Sequence, residues 1–103
     1  MESCIFCKIA NKEIPKEFAL ENEELMAFDD IHPKAPIHIL IVTKAHVASI
    51  KELESPELAG DMIMAARELA REKKLDGYRL MFNVGREGGQ EIDHLHLHLM
   101  GGK

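Results

Sequence analysis

Histidine and leucine alternate along residues 94–99, and this run constrains the fold more than any other part of the sequence. In a β-strand successive side chains point to opposite faces, so a period of two places His94, His96 and His98 on one face of a sheet. The leucines between them point to the other face, where we expect them to pack against a helix and fix the strand's register. Strand geometry spaces neighbouring imidazoles on one face about 6 to 7 Å apart. The run therefore predicts a sheet that carries three histidines side by side.

Three neighbouring imidazoles are suited to chemistry near neutral pH. The unperturbed pKa of imidazole lies closest to neutrality among the side chains, so a neutral ring can act as nucleophile or base while a charged neighbour acts as acid. Two alternatives stay open at this point. The H-x-H spacing can present two ligands to a catalytic zinc ion, or the histidines can form the polar face of an edge strand that carries no reaction.

The glycine-rich loop before the run favours phosphoryl chemistry. Residues 85–90 include three glycines, whose backbone can turn its N–H groups inward and hold an anion. Such a loop is also typical of a plain hairpin connection. Beside a potential histidine nucleophile, it predicts a site that binds a phosphate group.

The N-terminal part of the chain predicts a short helix and a hairpin. Apolar residues at near-helical spacing indicate a helix over residues 3–11. Brief apolar segments at 18–21 and 25–28, separated by a polar turn, indicate two short strands. Two prolines within residues 29–36 then predict a loop with extended backbone.

Three further strands are expected. Residues 37–43 are nearly all β-branched or apolar, which is typical of a strand buried on both faces, and His38 shares a face there with Leu40. Residues 79–84 and 92–100 give the last two strands.

One long helix lies between these strands in the chain. Ser55 is suited to the N-cap and Pro56 to the first helical position. Apolar residues then recur at helical intervals, and the helix is expected to end near Lys74, with Gly77 beyond it.

Length and charge exclude several classes of protein. The 103 residues contain no linker or internal repeat, so one domain over residues 1–103 is expected. The net charge of −5, with Lys and Arg scattered among acids, argues against nucleic-acid binding. No stretch approaches the roughly 20 apolar residues that span a bilayer, and the N-terminus lacks the features of a signal peptide. We therefore expect a cytoplasmic protein that binds neither nucleic acid nor membranes.

The histidine run, followed by Gly101 and Gly102, resembles the H-φ-H-φ-H-φ-φ signature of the histidine triad family. Other segments match the family in order and spacing: FCKI at 6–9, EIP at 13–15, AFDDI at 27–31, APIH at 35–38, Asn83, and GGQ at 88–90. This resemblance implies an α+β protomer with an antiparallel five-stranded sheet, one long helix and one short helix. It also implies a homodimer that binds a purine nucleotide over the sheet.

The resemblance also implies a reaction. His96 would be the nucleophile that forms a covalent nucleotidyl-histidine, while His98 and His38 would line the phosphate site. The implied enzyme cleaves purine nucleoside 5′-phosphoramidates or related adenylates at the α-phosphorus. One alternative is a dinucleoside polyphosphate hydrolase, which Gly101 and Gly102 disfavour. Another is a nucleotide- or zinc-binding interaction protein with little turnover.

Family positions suggest which residues bind the nucleotide. Asp30 matches the acid that accepts hydrogen bonds from the ribose hydroxyls, although Asp29 is a rival and Asp30 could simply form a turn. Asn83, Gly89 and Gln90 match positions near the phosphate, where amide groups can donate to its oxygens. The base slot would draw on apolar residues that could also be plain core: Ile5, Phe6, Ile9, Ile14, Phe28 and Ile31.

The two cysteines resemble those of a bacterial subgroup that binds zinc. In that subgroup such a Cys-x-x-Cys pair acts with two histidines, which here would be His46 and His94 beside Cys4 and Cys7. A closed Cys2His2 set would hold a structural zinc ion, and the chemistry at His96 would need no metal. Buried, inert thiols are the alternative. A redox pair is disfavoured because nothing else indicates a thioredoxin-like unit.

Substrate choice is expected to differ from that of longer members of the family. The sequence given lacks the C-terminal tail that reaches the partner's active site in those members. Glu91 stands where many animal members have a serine near the leaving group, and Asp93 replaces a frequent aromatic residue.

Overall fold

The computed structural model describes residues 3–102 and contains five strands and two α-helices within that range. In chain order the elements are α1 (Ile5–Ala10), β1 (Leu20–Glu21), β2 (Leu25–Asp29), β3 (Ile37–Thr43), α2 (Pro56–Glu72), β4 (Tyr78–Met81) and β5 (His96–Gly101). A single turn of 3-10 helix, Arg86–Gly88, lies between β4 and β5.

The five strands form one antiparallel sheet in the order β1-β2-β3-β5-β4. Strand β3 lies at its centre and pairs with β5 so that Leu40 is opposite His98 and Val42 is opposite His96. This arrangement confirms the expected α+β fold, with one long and one short helix on a five-stranded antiparallel sheet.

The leucines of the alternating run lie in the core that α2 covers. Leu97 and Leu99 are each 1% exposed or less and pack in one cluster with Met62 and Leu69 of the helix. Ile39 of β3 belongs to the same cluster. The predicted packing of the leucine face against a helix is confirmed.

The opposite face of the sheet is covered by α1. Phe6 and Ile9 of this short helix pack against Phe28, Leu40 and Val42. Because neighbouring residues of β3 contribute to the two separate clusters, the prediction that this strand is buried on both faces is also confirmed.

Helix α2 begins and ends close to the predicted residues. The Ser55 side chain accepts a hydrogen bond from the Leu58 N–H at 3.0 Å, and Pro56 occupies the first turn. The C-cap is Lys73, and Lys74 takes the left-handed conformation at φ 59°. The helix thus ends near Lys74, as predicted, and this lysine takes the left-handed conformation that glycine commonly takes, three residues before Gly77.

Two strand boundaries also differ from the prediction. β4 ends at Met81 rather than at residue 84, and β5 begins at His96 rather than at residue 92. Before β5 the Leu95 N–H donates to the Val47 carbonyl at 2.7 Å, outside the regular ladder. His94 therefore lies in the turn that leads into the strand, so its surroundings differ from those of His96 and His98.

Among the described residues, no helix has the length and apolar character required to cross a bilayer.

Candidate active site

A cavity of about 220 Å³ opens on the face of the sheet that α1 covers. Sequence-predicted residues that line it are Ile5, Phe6, Ile9, Phe28, Asp29, Asp30, Ile31, Asn83, Gly89, His96 and His98. His38 lies beneath the cavity, 4% exposed, and contacts it through His98. Ile14 packs in the adjoining cluster rather than in the lining.

The orientation of His96 suits a nucleophile. Its Nδ1 lies 2.7 Å from the backbone carbonyl of His94, and since a carbonyl only accepts, Nδ1 must carry the proton. This assignment of the tautomer leaves a lone pair on Nε2. The Phe6 ring packs edge-on against the imidazole, with ring centroids 5.3 Å apart. Burial lowers the pKa of His96, although its hydrogen bond to the His94 carbonyl opposes this effect, and the ring is kept neutral.

His98 and His38 form a hydrogen-bonded pair whose direction is set by the backbone. The Lys34 N–H donates to His38 Nδ1 at 3.0 Å, so the proton of His38 lies on Nε2. That nitrogen is 2.9 Å from His98 Nδ1 and donates to it. The proton of His98 is therefore on Nε2. Asn83 Nδ2 lies 3.4 Å away and is also a donor, so these two groups do not bond to each other, and each can donate to a separate acceptor.

The same pair argues against a catalytic metal. Donor atoms of Asp30, His38 and His98 lie within 4.8 Å of one another. A neutral imidazole has one lone pair, however, and His38 already uses its own to accept the Lys34 N–H. Binding a cation at His38 Nε2 would therefore require breaking this bond or forming an imidazolate. The arrangement favours hydrogen bonding over metal ligation.

Asp30 combines a turn with a place in the cavity. Its Oδ1 accepts the His32 N–H at 2.9 Å, and its Oδ2 lies 3.5 Å from His38 Nε2. The alternative that Asp30 forms a turn is thus correct, and it does not exclude a role in binding because the carboxylate still lines the cavity.

Gln90 differs from its predicted orientation. Its side chain is 3% exposed and lies outside the cavity lining. The Oε1 atom accepts the Gly85 N–H at 2.9 Å, while Nε2 donates to the carbonyls of Ala48 at 2.7 Å and Ile92 at 2.9 Å. Because these bonds occupy the amide group, Gln90 holds the glycine-rich loop in shape and directs its amide away from the cavity lining.

The loop itself needs glycine at two positions. Gly85 has φ 72° and Gly89 has φ 89°, which side chains rarely adopt. Arg86 closes the loop by donating to the Gln90 carbonyl at 2.6 Å and to the Asp93 carboxylate at 2.9 Å.

Four further side chains meet beside the cavity: Cys4, Cys7, His46 and His94. Their donor atoms lie within 4.8 Å of one another. His94 Nδ1 is 3.2 Å from Cys4 Sγ, and His46 Nδ1 is 3.3 Å from Cys7 Sγ. Because His94 Nε2 donates to the Thr43 carbonyl at 2.6 Å, its Nδ1 lone pair is free to face the thiols.

The set fits a zinc ion by its chemistry. Zn–S bonds of about 2.3 Å and Zn–N bonds of about 2.0 Å in a tetrahedron separate the ligand atoms by about 3.3 to 3.8 Å, and the contacts between histidine and cysteine are of this size. A carbonyl behind the metal-binding histidine is the usual arrangement that fixes its tautomer. Sequence reasoning identified these four residues, and the structure brings all of them together.

Five residues that line the cavity were not identified from the sequence as site residues. They are Lys16, His32, Lys34, Leu40 and Ile92. A lysine in a loop gives no periodic signal, and Leu40 is indistinguishable in sequence from other core residues. Glu91, predicted to lie near the leaving group, also lines the cavity.

Comparisons with known proteins agree with this geometry. The model of the HIT domain family matches residues 11–103. Protein HitA of Neisseria gonorrhoeae is 44% identical over 104 residues, which cover 98% of this chain and 97% of that protein. The purine nucleoside phosphoramidase of Escherichia coli strain K12 is 40% identical over 106 residues, covering 99% of this chain and 89% of that protein. A HIT family hydrolase from Clostridium thermocellum superposes with a TM-score of 0.95 at 40% identity, covering 100% of this chain and 93% of that one.

We expect the His98 ring to stay neutral until the pH approaches about 4. Burial is the main cause of this lowered pKa, and the charges of His96, His38 and Lys34 add to it, while Asp30 opposes it. An unfolded histidine binds its proton near pH 6.5, so between these values the unfolded state binds more protons. The contribution of His98 to the free energy of unfolding therefore falls as the pH drops through this window.

NMR titration of the His98 Cε1–H resonance measures this pKa directly. A His98→Asn variant identifies the resonance and, since asparagine does not titrate, should lose the contribution of this ring to the pH dependence of stability. A His98 pKa at or above 6.5 would contradict the prediction.

Proposed function

Because the chain belongs to the HIT domain family, we propose that it is a hydrolase that cleaves purine nucleoside 5′-phosphoramidates or related adenylates at the α-phosphorus. The observation that carries the proposal is the free Nε2 lone pair of His96, which faces a cavity that is also lined by the Asp30 carboxylate and by the donor Nε2–H of His98. The 40% identity to a protein named purine nucleoside phosphoramidase supports this class of substrate.

The cavity divides into regions that suit the parts of a nucleotide. Ile9 and Phe28 provide apolar surface for the purine base. Asp30 can accept hydrogen bonds from the ribose hydroxyls. The Nε2–H of His98 and the Asn83 amide can donate to non-bridging phosphoryl oxygens, whose negative charge grows in the transition state.

The reaction proceeds in two displacements. His96 Nε2 attacks phosphorus, the N–P bond forms, and the P–N bond to the leaving amine breaks as that amine takes up a proton from solvent. The imidazole becomes positively charged, and the His94 carbonyl stabilises it through the hydrogen bond to Nδ1. Water then attacks phosphorus and gives up a proton to solvent, the bond to Nε2 breaks with its electron pair returning to the imidazole, and the nucleoside monophosphate leaves. Two easier displacements thus replace one difficult step.

A dinucleoside polyphosphate is the competing substrate class. Its leaving group is a highly charged anion, and Glu91 places a carboxylate at the cavity where such a group would meet repulsion. An amine leaving group meets no such repulsion. This feature favours phosphoramidates over polyphosphates.

We expect an adenosine 5′-phosphoramidate to increase the mass of the protein transiently by one adenylyl group. The covalent bond forms on His96, so the His96→Ala variant should show no adduct and should lose turnover by about a thousandfold or more. Rapid quenching followed by intact-protein mass spectrometry detects the adduct, and release of AMP measures turnover.

Nucleotide binding by the His96→Ala variant provides the control. Retained AMP affinity with lost turnover separates catalysis from binding. If the unmodified protein binds AMP but hydrolyses neither phosphoramidates nor dinucleoside polyphosphates, it is a nucleotide-binding protein and the proposed reaction is wrong.

We also propose that the four-residue cluster of Cys4, Cys7, His46 and His94 binds a structural zinc ion. A bound ion would tie the start of α1 to the turn that leads into β5, since Cys4 is the N-cap of the helix and His94 precedes the strand. The ion would orient the region around His96 without contacting its Nε2 atom.

Metal analysis tests the zinc proposal. Protein purified with zinc present should contain about one equivalent, and the Cys4→Ser, Cys7→Ser double variant should contain none and melt at a lower temperature, because zinc binding contributes folding free energy. Ser3→Ala serves as a neighbouring control that leaves the metal content unchanged. Absence of zinc from the metal-replete unmodified protein would overturn the assignment.

We propose further that the chain forms a homodimer through β4. This strand is an edge of the sheet, and its Tyr78 and Leu80 side chains are 37% and 38% exposed. Exposed apolar residues on an edge strand are suited to pairing with a second copy. The adjoining α2 adds Ile63, which is 40% exposed.

Sedimentation equilibrium should give twice the 11.6 kDa mass of the chain. Leu80→Lys should shift the protein to monomer, because it places a charge within the apolar contact. Met64→Lys is the matched control, since Met64 is 49% exposed in a groove between α2 and the β1–β2 hairpin. A monomeric unmodified protein, or equal dissociation of both variants, would contradict the proposed interface.

A further inference from the structure

We propose that Lys34 is a further catalytic residue, whose ammonium group contacts the phosphoryl oxygens while its backbone N–H fixes the donor direction of the His38–His98 pair. The inference rests on the proposed function and extends it to a residue outside the histidine triad. Lys34 would thus have two roles, one that depends on its side-chain charge and one that depends on its backbone N–H.

The backbone of Lys34 is tied to the centre of the site. Its N–H donates to His38 Nδ1 at 3.0 Å, and the His38 ring is buried at 4% exposure. Pro33 precedes Lys34 directly and Pro36 follows two residues later, so the segment has few conformations to choose from. The side chain of Lys34 therefore starts from a fixed point at the edge of the cavity.

The hydrogen bond from the Lys34 N–H determines which ring nitrogens of His38 and His98 carry protons. With His38 Nδ1 occupied as an acceptor, His38 donates from Nε2 to His98 Nδ1 at 2.9 Å. The Nε2 atom of His98 must then carry a proton and act as a donor toward the cavity. A phosphoryl oxygen accepts from such a donor, so the Lys34 N–H prepares His98 for an anion before the substrate arrives.

The side chain of Lys34 places a positive charge at the cavity, next to the segment that is bonded to His38. Lys34 lines the cavity together with His96, His98 and Asn83. Its charge is also close enough to His98 to help lower the pKa of that ring. Within residues 3–102 the Lys34 ammonium belongs to no ion pair, whereas Asp30 is engaged with His32 and His38.

The second lysine of the cavity occupies a different region. Lys16 Nζ lies over the Phe28 ring, 5.0 Å from its centroid, among the apolar residues of the base slot. Of the two lysines that line the cavity, Lys34 is therefore the one whose backbone is bonded to the histidine pair.

A cation in this position has a specific effect on the reaction. Negative charge on the phosphoryl oxygens and the leaving atom grows as His96 attacks, and a preorganised positive charge stabilises the transition state more than the bound substrate. His98 and His38 are both neutral in the assigned tautomers, so neither supplies this charge. Lys34 supplies what enzymes of phosphoryl transfer often obtain from a metal ion or an arginine.

The test compares two substitutions that keep the backbone N–H. Lys34→Gln removes the charge and should lower kcat/KM for adenosine 5′-phosphoramidate by about ten- to hundredfold, with most of the loss in kcat. Lys34→Arg keeps the charge and should retain activity within about threefold. Lys73→Gln, an exposed lysine at the C-cap of α2 outside the cavity, should have no effect.

The pKa of His98 provides a second measurement. A purely structural role of the Lys34 side chain would leave this pKa unchanged, whereas loss of a nearby charge would raise it. It should rise in Lys34→Gln, because a nearby positive charge is removed, and stay unchanged in Lys34→Arg and Lys73→Gln. NMR titration measures it in each folded variant, and thermal melts verify that each variant folds. Lys34→Gln with unchanged kcat and an unchanged His98 pKa would overturn the role of the side chain.

Failure of the inference and failure of the proposed function give different results. If the unmodified protein forms the adenylyl adduct and Lys34→Gln is equally active, the inference on Lys34 is wrong and the proposed reaction stands. If the unmodified protein forms no adduct and releases no AMP, the reaction itself is wrong, and the catalytic role of Lys34 is overturned with it.

Discussion

The hydrogen bond from His96 Nδ1 to the His94 carbonyl, 2.7 Å long, is the contact on which the site depends. It fixes the tautomer of the buried ring, presents Nε2 to the cavity and supplies an acceptor for the positive charge that would form during attack. The geometry is local, because the carbonyl belongs to the residue two positions earlier in the chain. This hydrogen bond is kept only if the turn before β5 is rigid. Much of the remaining structure contributes to the rigidity of that turn.

The sheet provides the first source of rigidity. Leu97 and Leu99 are buried against α2, so β5 cannot slip by one residue without exposing its leucines and burying its histidines on the wrong face. β3 pairs along the whole of β5 and brings His38 beside His98 from a position 60 residues away in the chain. The same pairing that buries the core thus assembles the histidine pair.

The N-terminal helix provides the second source. Phe6 contacts both His94 and His96 edge-on, with ring centroids 5.6 and 5.3 Å apart, and Cys4 and Cys7 face the other side of His94. The His94 side chain belongs to the cysteine cluster, while its backbone carbonyl orients His96. One residue therefore couples a site suited to structural zinc with the candidate nucleophile.

The sequence by itself determined the strand that carries the histidines, the face that its leucines bury, the N-cap of the long helix and the four members of the cysteine cluster. These follow from periodicity, capping chemistry and spacing, which act over a few residues, and from the family resemblance. The tertiary structure alone decided that β5 begins at His96, that Gln90 holds its loop through three hydrogen bonds, that His38 donates to His98 and that the Lys34 N–H donates to His38. Each of these depends on a hydrogen-bond partner or neighbour supplied by another segment of the chain. Local pattern carries no information on such partners, because folding brings them together only once both faces of the sheet are covered.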